Sequence, residues 1–263
     1  LRRFFSKMET AALSTFKEYE TDSYLFQSTG KVLKVNALEE NKFEVIVDKT
    51  IFHPQGGGQP NDEGTMKTGD VEFTVQNLKM NEGYISHFGT FAEEGQTFEE
   101  GQEVDQNINE ELRRKFARVH SAGHLIDIAM DKVGFAHLDP GKGYHFDKGS
   151  YVEYIGVVET EKREKLKEDL NITLKDIIGG IKEEDSMVAK VHSYEEAKEQ
   201  LGSVPPYLPE GSNVRIVKLC EDDKGCPCGG THVKHIKDIQ GIEVNKIQKK
   251  KKNTRVSYTV IDV

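Results

Sequence analysis

Two pairs of metal-binding side chains stand far apart in this sequence. His120 and His124 are four residues apart in a run with helical periodicity, so both imidazoles can reach one metal ion from one helix face. Cys228 and His232 enclose a Gly-Gly pair, and glycine permits the tight backbone path that brings a thiolate and an imidazole to one ion. Each pair alone also fits a structural role, as histidines sharing a helix face or as a glycine-rich turn with reduced cysteines.

Together the two pairs predict a tetrahedral zinc site. Nitrogen and sulfur ligands on a helix and a distant loop suit Zn²⁺, and no other redox motif points to iron or copper. We expect one Zn²⁺ per chain, held by His120, His124 and Cys228, with His232 bound directly or through water. If all four protein ligands bind, the site is closed, and the zinc then positions a substrate rather than generating hydroxide; with an open position it can act on the substrate. Two further thiols are alternative ligands: Cys226 and Cys220.

A third segment contains three consecutive glycines. Gly56, Gly57 and Gly58 lie between Thr50 and Gln59, and glycines leave main-chain amides open to close approach by a ligand. A glycine hairpin within a β-barrel is the competing explanation. The hydroxyl of Thr50 can donate or accept a hydrogen bond, which suits recognition of a small polar group, but it equally suits an ordinary strand threonine.

The elements that must position these residues change in character along the chain. Short alternating apolar runs separated by glycines predict a small β-barrel or sandwich over residues 23–105, after an N-terminal extension at 1–22. Mixed helices and strands without regular βαβ alternation predict an α+β domain with the zinc site over 106–263. The acidic stretch 93–111, poor in large apolar residues, is the candidate boundary.

Within the second domain the pattern predicts individual elements. Apolar spacing predicts one helix over about 110–134, ending near a glycine, and an amphipathic helix over about 159–182. Strands are predicted within 144–158, at 214–217 and within 242–263.

Composition limits the classes of protein. The chain has 263 residues, of which 36% are hydrophobic and 31% charged, a balance typical of soluble globular proteins. No apolar run approaches the ~18 residues that a membrane span needs. Three cysteines do not make a disulfide framework at this length, so we expect a cytoplasmic protein. The net charge of −9 disfavours general nucleic-acid affinity, so any RNA contact needs a local basic patch.

One such patch stands near the C-terminus. Five positive charges lie between two strand-like segments, at Lys249, Lys250, Lys251, Lys252 and Arg255. A turn carrying them could hold an RNA phosphate backbone, although a solvated turn is the alternative. A second basic group, residues 113–118, is better explained as a solvated helix face.

These motifs jointly resemble those of a known family. The segment Thr50-x-Phe52-x-Pro54-x-Gly56-Gly57-Gly58-Gln59-Pro60-x-Asp62-x-Gly64 resembles the glycine-rich motif of alanyl-tRNA synthetase editing modules and of their free-standing AlaX-type relatives. The two metal-binding pairs resemble the paired metal motif of the same family, and residues 149–154 resemble a segment between them. Order and rough separations agree from about residue 23 to 263. Two small departures are His53, where an aromatic residue is common, and the less bulky Ala122-Gly123.

The resemblance implies a reaction and a partner. The family hydrolyses the ester that joins a wrong amino acid, serine or glycine, to the acceptor end of tRNA(Ala). It implies that Thr50 senses the serine hydroxyl and that Gln59 and the adjacent glycines line the pocket. It assigns no catalytic residue beyond the metal site, and no membrane or obligate protein partner is expected.

Two other functions remain open at this stage. One is a non-catalytic tRNA-binding module with a structural zinc. The other is a zinc hydrolase for an unrelated ester or amide, which would lack a His-Glu-x-x-His base because residues 121–123 are Ser, Ala and Gly.

Overall fold

The computed structural model describes residues 13–182, 186–206, 208–221 and 223–262. The first 12 residues of the predicted N-terminal extension therefore lie outside the described residues. The strands are β1 Phe16–Lys17, β2 Gln27–Ala37, β3 Phe43–Val47, β4 Lys49–Thr50, β5 Gly64–Thr68, β6 Val71–Met80, β7 Ile85–Phe91, β8 Glu103–Ile108, β9 Pro140–Tyr144, β10 Tyr151–Ile155, β11 Val188–His192, β12 Val214–Lys218, β13 Cys226–Pro227, β14 Gly241–Lys250 and β15 Asn253–Ile261. The helices are α1 Glu18–Thr21, α2 Glu110–Met130, α3 Arg163–Gly180 and α4 Tyr194–Leu201, with single helical turns at Glu39–Asn41, Asp131–Phe135, Thr160–Lys162 and Ile236–Ile239.

The N-terminal half folds as a closed antiparallel β-barrel. Its strand order is β2-β3-β7-β6-β5-β8, and β8 pairs back to β2. Alternate residues along each strand point inward, which is why the alternating runs of the sequence predicted this element. The inward side chains form one apolar core that includes Val45, Val47, Met66, Phe73, Val75, Ile85 and Val104.

The described part of the predicted extension packs against this barrel. β1 pairs in parallel with β4. The hydroxyl of Thr15 donates to the Val47 carbonyl at 2.7 Å, and the Thr15 amide donates to the Gly83 carbonyl at 2.9 Å. Tyr19 is buried in the barrel core. Residues from 13 onward therefore contribute to the packing of the barrel.

The acidic stretch 93–111 contains the strand that closes the barrel. Val104, Gln106 and Ile108 of β8 are buried, whereas Glu103 and Asp105 are exposed. β8 pairs with both β2 and β5. The charge here belongs to the outer face of a barrel strand and not to a linker, so the boundary expected at residue 105 falls inside β8. The division into domains otherwise stays a prediction.

α2 leaves the barrel directly and carries the first metal-binding pair. The side chain of Asn109 accepts a hydrogen bond from the Leu112 amide at 3.1 Å and caps the helix. Two glutamates in the first turn interact favourably with the positive end of the helix dipole. The helix ends at Met130, and a π-helical turn follows in which Gly134 takes φ 90°. This agrees with the predicted helix and its glycine stop.

A four-stranded sheet of order β14-β15-β10-β9 covers α2 and α3. Leu166, Leu170 and Leu174 of α3 enter the same core as Val244 and Val256 of the sheet. A separate three-stranded sheet, β11-β12-β13, packs with α4. No helix within the described residues has the length and apolar character to cross a membrane. The architecture is α+β with a closed barrel, and the predicted fold class is confirmed.

Candidate metal centre

α2 and the segment beyond β13 bring the four predicted ligands together. His120 and His124 have ring centroids 4.9 Å apart on α2. One ligand atom from each of His120, His124, Cys228 and His232 lies within 4.8 Å of the others. We call these four residues the metal cluster.

The metal cluster has the chemistry of a cation site. His232 is fully buried, and neither of its ring nitrogens has a hydrogen-bond partner among the described residues. Burial lowers the pKa of His124 to about 4 and the pKa values of His120 and His232 well below their usual range. The imidazoles therefore stay neutral at pH 7 and offer lone pairs, the form that binds a metal. Because buried polar atoms normally have partners, these lone pairs fit a bound metal ion.

A second cysteine lies beside the cluster. The Sγ atom of Cys226 is 3.2 Å from Nδ1 of His124, and that of Cys228 is 3.5 Å from Nε2 of His120. Burial raises the pKa of both thiols. Cys226 therefore remains the alternative sulfur ligand, whereas Cys220 packs against the hydrophobic core that α2 and α3 form with the four-stranded sheet.

Arg215 on β12 fixes the backbone of the cysteine loop. Its Nη1 donates to the carbonyls of Cys228 at 2.6 Å and of Gly230 at 3.0 Å. A β-carbon at Gly230 would lie 2.2 Å from Cε1 of His120, so glycine is needed for this approach. The Gly-Gly pair thus allows the loop to close on the helix, as the sequence suggested.

The glycine-rich segment reaches the metal cluster through Gln59. Gly57 and Gly58, with φ of 57° and 84°, occupy the centre of a tight turn closed by backbone bonds of 3.2 and 2.9 Å between Gly56 and Gln59. Oε1 of the buried Gln59 side chain accepts from Nδ1 of His120 at 2.8 Å. This bond places the imidazole proton on Nδ1 and leaves the Nε2 lone pair facing the cluster. Gln59 therefore orients a cluster histidine, a role that the sequence did not predict.

A buried ion pair ties the same segment to the start of α2. Arg113 is completely buried, and its Nε donates to Oδ1 of Asp62 at 3.0 Å. Nη1 of Arg113 also donates to the carbonyl of Ser23 at 2.8 Å, and Oδ2 of Asp62 accepts from the His53 amide at 2.6 Å. Arg113 is therefore a structural anchor and not part of a solvated helix face.

His145 is a further imidazole beside the cluster that the sequence analysis missed. Its ring stacks on His120 with centroids 4.6 Å apart. The hydroxyl of Tyr258 donates to the Val119 carbonyl at 2.8 Å and so accepts from Nδ1 of His145 at 2.7 Å. Nε2 of His145 is left as an acceptor, and burial lowers the pKa of this ring to about 3.

Small residues make room for this ring. A β-carbon at Gly123 would lie 2.4 Å from Cε1 of His145, and one at Gly143 would lie 2.3 Å from its Nε2. The small residues Ala122 and Gly123, between the two α2 histidines, were therefore the sequence signal that another side chain packs against this part of the helix.

Thr50 lies in a second buried polar group, inside the barrel. Its Oγ1 is 2.9 Å from Nε2 of His87 and 3.1 Å from Oε1 of Gln106, and it accepts from the Phe52 amide at 3.1 Å. We call Thr50, His87 and Gln106 the barrel network. The substrate-sensing role of Thr50 stays a prediction, since its hydroxyl has these partners within the barrel.

The predicted RNA-binding residues lie at the β14–β15 turn. Lys249 to Lys252 are all exposed. Arg255 on β15 is half-buried, and its Nη2 lies 2.7 Å from Oε1 of Glu153. The lysine charges therefore face solvent, whereas the charge of Arg255 is partly balanced.

Two protein-family models match parts of this chain. Residues 4–112 match the family model described as tRNA synthetases class II (A), and residues 214–256 match the threonyl and alanyl tRNA synthetase second additional domain. An alanyl-tRNA editing protein AlaX-M of Methanosarcina mazei is 31% identical over 93% of this chain and 96% of its own length. The chain belongs to the alanyl-tRNA editing protein family.

Other relatives differ from this chain in length. The alanyl-tRNA editing protein AlaX-L of Pyrococcus horikoshii is 31% identical over 92% of this chain, which spans only 57% of that relative. An alanine–tRNA ligase of Haloquadratum walsbyi is 29% identical over 86% of this chain and 24% of its own length. The second additional domain match contains both Cys228 and His232 of the metal cluster.

Proposed function

We propose that this protein is a trans-editing deacylase that hydrolyses the serine ester of tRNA(Ala), and also the glycine ester. The observation that carries the proposal is the bond between Gln59 of the glycine-rich motif and His120 of the metal cluster. It joins the two motifs by which the chain resembles the editing family into one buried site. The relatives named alanyl-tRNA editing proteins support the same conclusion.

We propose zinc as the metal, because neutral imidazoles and a thiolate are its usual ligands. His120, His124 and Cys228 would hold the ion, with His232 at or next to it. Bound zinc would polarise the ester carbonyl or orient the terminal adenosine.

The protein groups around the ion have separate tasks in this proposal. Gln59 keeps the Nε2 lone pair of His120 directed at the cluster. Nε2 of His145, fixed as an acceptor by Tyr258, would take a hydrogen bond from the attacking water and so hold it in place. An aminoacyl ester is already activated, so holding the water in place supplies much of the required rate enhancement.

A non-catalytic tRNA-binding module is the second candidate. The four donors of the metal cluster would favour it if all of them bound one ion, because a closed tetrahedral site is typical of structural zinc.

One assay distinguishes the two candidate functions. Purified protein is mixed with seryl, glycyl and alanyl esters of tRNA(Ala), and release of the amino acid is followed. The proposal predicts fast hydrolysis of the serine ester, hydrolysis of the glycine ester and much slower hydrolysis of the alanine ester. tRNA binding without hydrolysis of any of the three esters would show a binding module instead.

A further inference from the structure

The metal cluster opens to solvent at His124 and Cys228, which are half-buried, whereas His120 and His232 are buried. Asp127 lies on this open side. It follows His124 by three residues and His120 by seven, so the three side chains share one face of α2. The Asp127 side chain is 27% exposed, and its Oδ2 lies 3.9 Å from Nδ1 of His124. A substrate that enters at His124 therefore meets Asp127.

The carboxylate of Asp127 has one fixed oxygen and one free oxygen. The hydroxyl of the buried Tyr154 donates to Oδ1 at 2.6 Å and so fixes the orientation of the carboxylate. The Cys226 thiol, at 3.2 Å, is closer to Nδ1 of His124 than Oδ2 is. Among the described residues, no Lys or Arg nitrogen lies within 4.0 Å of Asp127. Oδ2 is therefore an accessible acceptor without a cationic partner in this part of the chain.

Two other carboxylates near the cysteine loop already have partners. Asp223 and Glu20 are close enough to contribute to the raised pKa values of the cysteine thiols, although burial is the larger cause. Both oxygens of Asp223 accept hydrogen bonds from backbone amides of its own loop, at 2.8 Å each. Oε1 of Glu20 lies 3.0 Å from Nζ of Lys17. Asp127 is thus the carboxylate best placed to pair with a cation that comes from outside the chain.

An aminoacyl ester brings such a cation with it. Its α-amino nitrogen lies about 2.5 Å from the carbonyl carbon, because only the α-carbon separates them. An ester carbonyl held at the metal cluster therefore carries the α-ammonium group to the side chains that surround the cluster. An ammonium has three donors and no acceptor, and a charge that leaves water unpaired is costly. Oδ2 of Asp127 offers both a negative charge and a free lone pair.

We propose that Asp127 binds the α-ammonium group of the aminoacyl ester and so restricts hydrolysis to substrates whose amino group is unblocked. This proposal rests on the proposed function, in which the substrate is such an ester. Tyr154 keeps the carboxylate in position. Burial raises the pKa of Asp127 to about 7, and a bound ammonium lowers it again, so each charge stabilises the other.

A kinetic experiment compares the seryl and N-acetylseryl esters of tRNA(Ala), since acetylation removes the charge of the amino group. For the wild type we expect kcat/KM to be about 10- to 150-fold higher on the seryl ester, the range for one hydrogen bond to a charged group. Asp127→Asn keeps an acceptor for Tyr154 but loses the charge, so this preference should nearly vanish. Asp131→Asn, which changes an exposed carboxylate four residues further on, is the matched control and should keep it.

A binding experiment makes the same comparison without hydrolysis. In 3′-serylamino-3′-deoxyadenosine an amide replaces the ester, and the molecule resists deacylation. The wild type should bind this analogue more tightly than its N-acetyl form by a similar factor, and Asp127→Asn should bind the two alike. Metal content should be equal in all variants. A carboxylate that only orients His124 would instead change the metal content and leave the preference for the free amine intact.

The outcomes separate this inference from the proposed function. Equal treatment of free and acetylated molecules by the wild type, or an undiminished preference in Asp127→Asn, would overturn the proposal. Selective binding of the free amine, lost in Asp127→Asn, without hydrolysis of any ester would support the role of Asp127 and reject the editing activity. Hydrolysis of the seryl ester with no preference for the free amine would reject the role of Asp127 alone.

Discussion

Two buried polar groups of this protein contain histidine, and they differ in how completely their polar atoms are paired. In the barrel network, Nδ1 of His87 lies 3.0 Å from the Val45 carbonyl, Nε2 meets Thr50, and Nε2 of Gln106 donates to the Lys49 carbonyl at 2.8 Å. In the metal cluster, both ring nitrogens of His232 lack any partner among the described residues.

This difference indicates that the barrel network has a structural role and that the metal cluster has a functional one. A buried polar group left unpaired costs about 1–3 kcal/mol, so a fold retains one only where something else compensates it. The barrel network has protein partners for its polar atoms, and folding alone explains it. The metal cluster offers lone pairs to a ligand that the chain does not supply, which is what a metal site requires.

The largest expected effect comes from breaking the metal cluster. Cys228→Ala should lower hydrolysis of the serine ester by about 10²-fold or more and should remove bound metal, because a ligand and its charge are lost. Cys220→Ala is the matched control and should leave both properties near wild type. Elemental analysis and the deacylation rate measure the two effects. Full metal content and full activity in Cys228→Ala would contradict the assignment.

A second variant pair tests His145 without replacing any of the four cluster residues. His145→Asn keeps a donor toward Tyr258 but removes the Nε2 acceptor, so kcat should fall by about 10²-fold while metal content stays unchanged. His145→Gln places an amide near the position of Nε2 and should recover part of the rate. If metal is lost together with kcat, His145 acts through the metal site and not as an acceptor for water.

Thr50→Val tests the barrel network. Loss of the hydroxyl leaves the Phe52 amide and Nε2 of His87 without their partner, so stability should fall by about 1–3 kcal/mol in denaturant unfolding. If Thr50 also senses serine, hydrolysis of the serine ester should fall about tenfold, the equivalent of ~1.4 kcal/mol, with the glycine ester much less affected. Equal losses on both esters would show that the hydroxyl serves only the barrel network.

The smallest effect on kcat is expected at the exposed lysine run, which lies outside both buried groups. Replacing Lys249 through Lys252 by Ala should weaken tRNA binding and flatten its salt dependence, because fewer counterions are released. Hydrolysis at saturating tRNA should change little. Wild-type affinity with a wild-type salt slope would identify the run as a solvated turn.

Much of this organisation follows from local sequence patterns. Spacing of four residues on a helix predicts the pairing of His120 with His124, and the Gly-Gly pair predicts the close approach of the cysteine loop, because both depend on backbone geometry alone. The barrel is also predictable, since inward and outward residues alternate along its strands. β8 was not predicted as a barrel strand, because the acidic residues on its outer face are also typical of a linker.

Other features depend on contacts between distant segments and could not be derived from local patterns alone. The bond from Gln59 to His120 and the position of His145 exist only after the barrel, α2 and the sheet have packed. The small sheet of β11 to β13 was missed except for β12, because β11 is largely exposed and lacks a clear apolar alternation. Long-range hydrogen bonds and stacking therefore limit prediction of the site more than secondary structure does.

The central claim is that the metal cluster holds a zinc ion needed for ester hydrolysis. Its most direct test is hydrolysis of the serine ester of tRNA(Ala) by protein depleted of metal with a chelator and then titrated with Zn²⁺. We expect activity to disappear on depletion and to return in proportion to added zinc until about one ion is bound per chain. Full hydrolysis by protein that elemental analysis shows to be free of metal would contradict the claim.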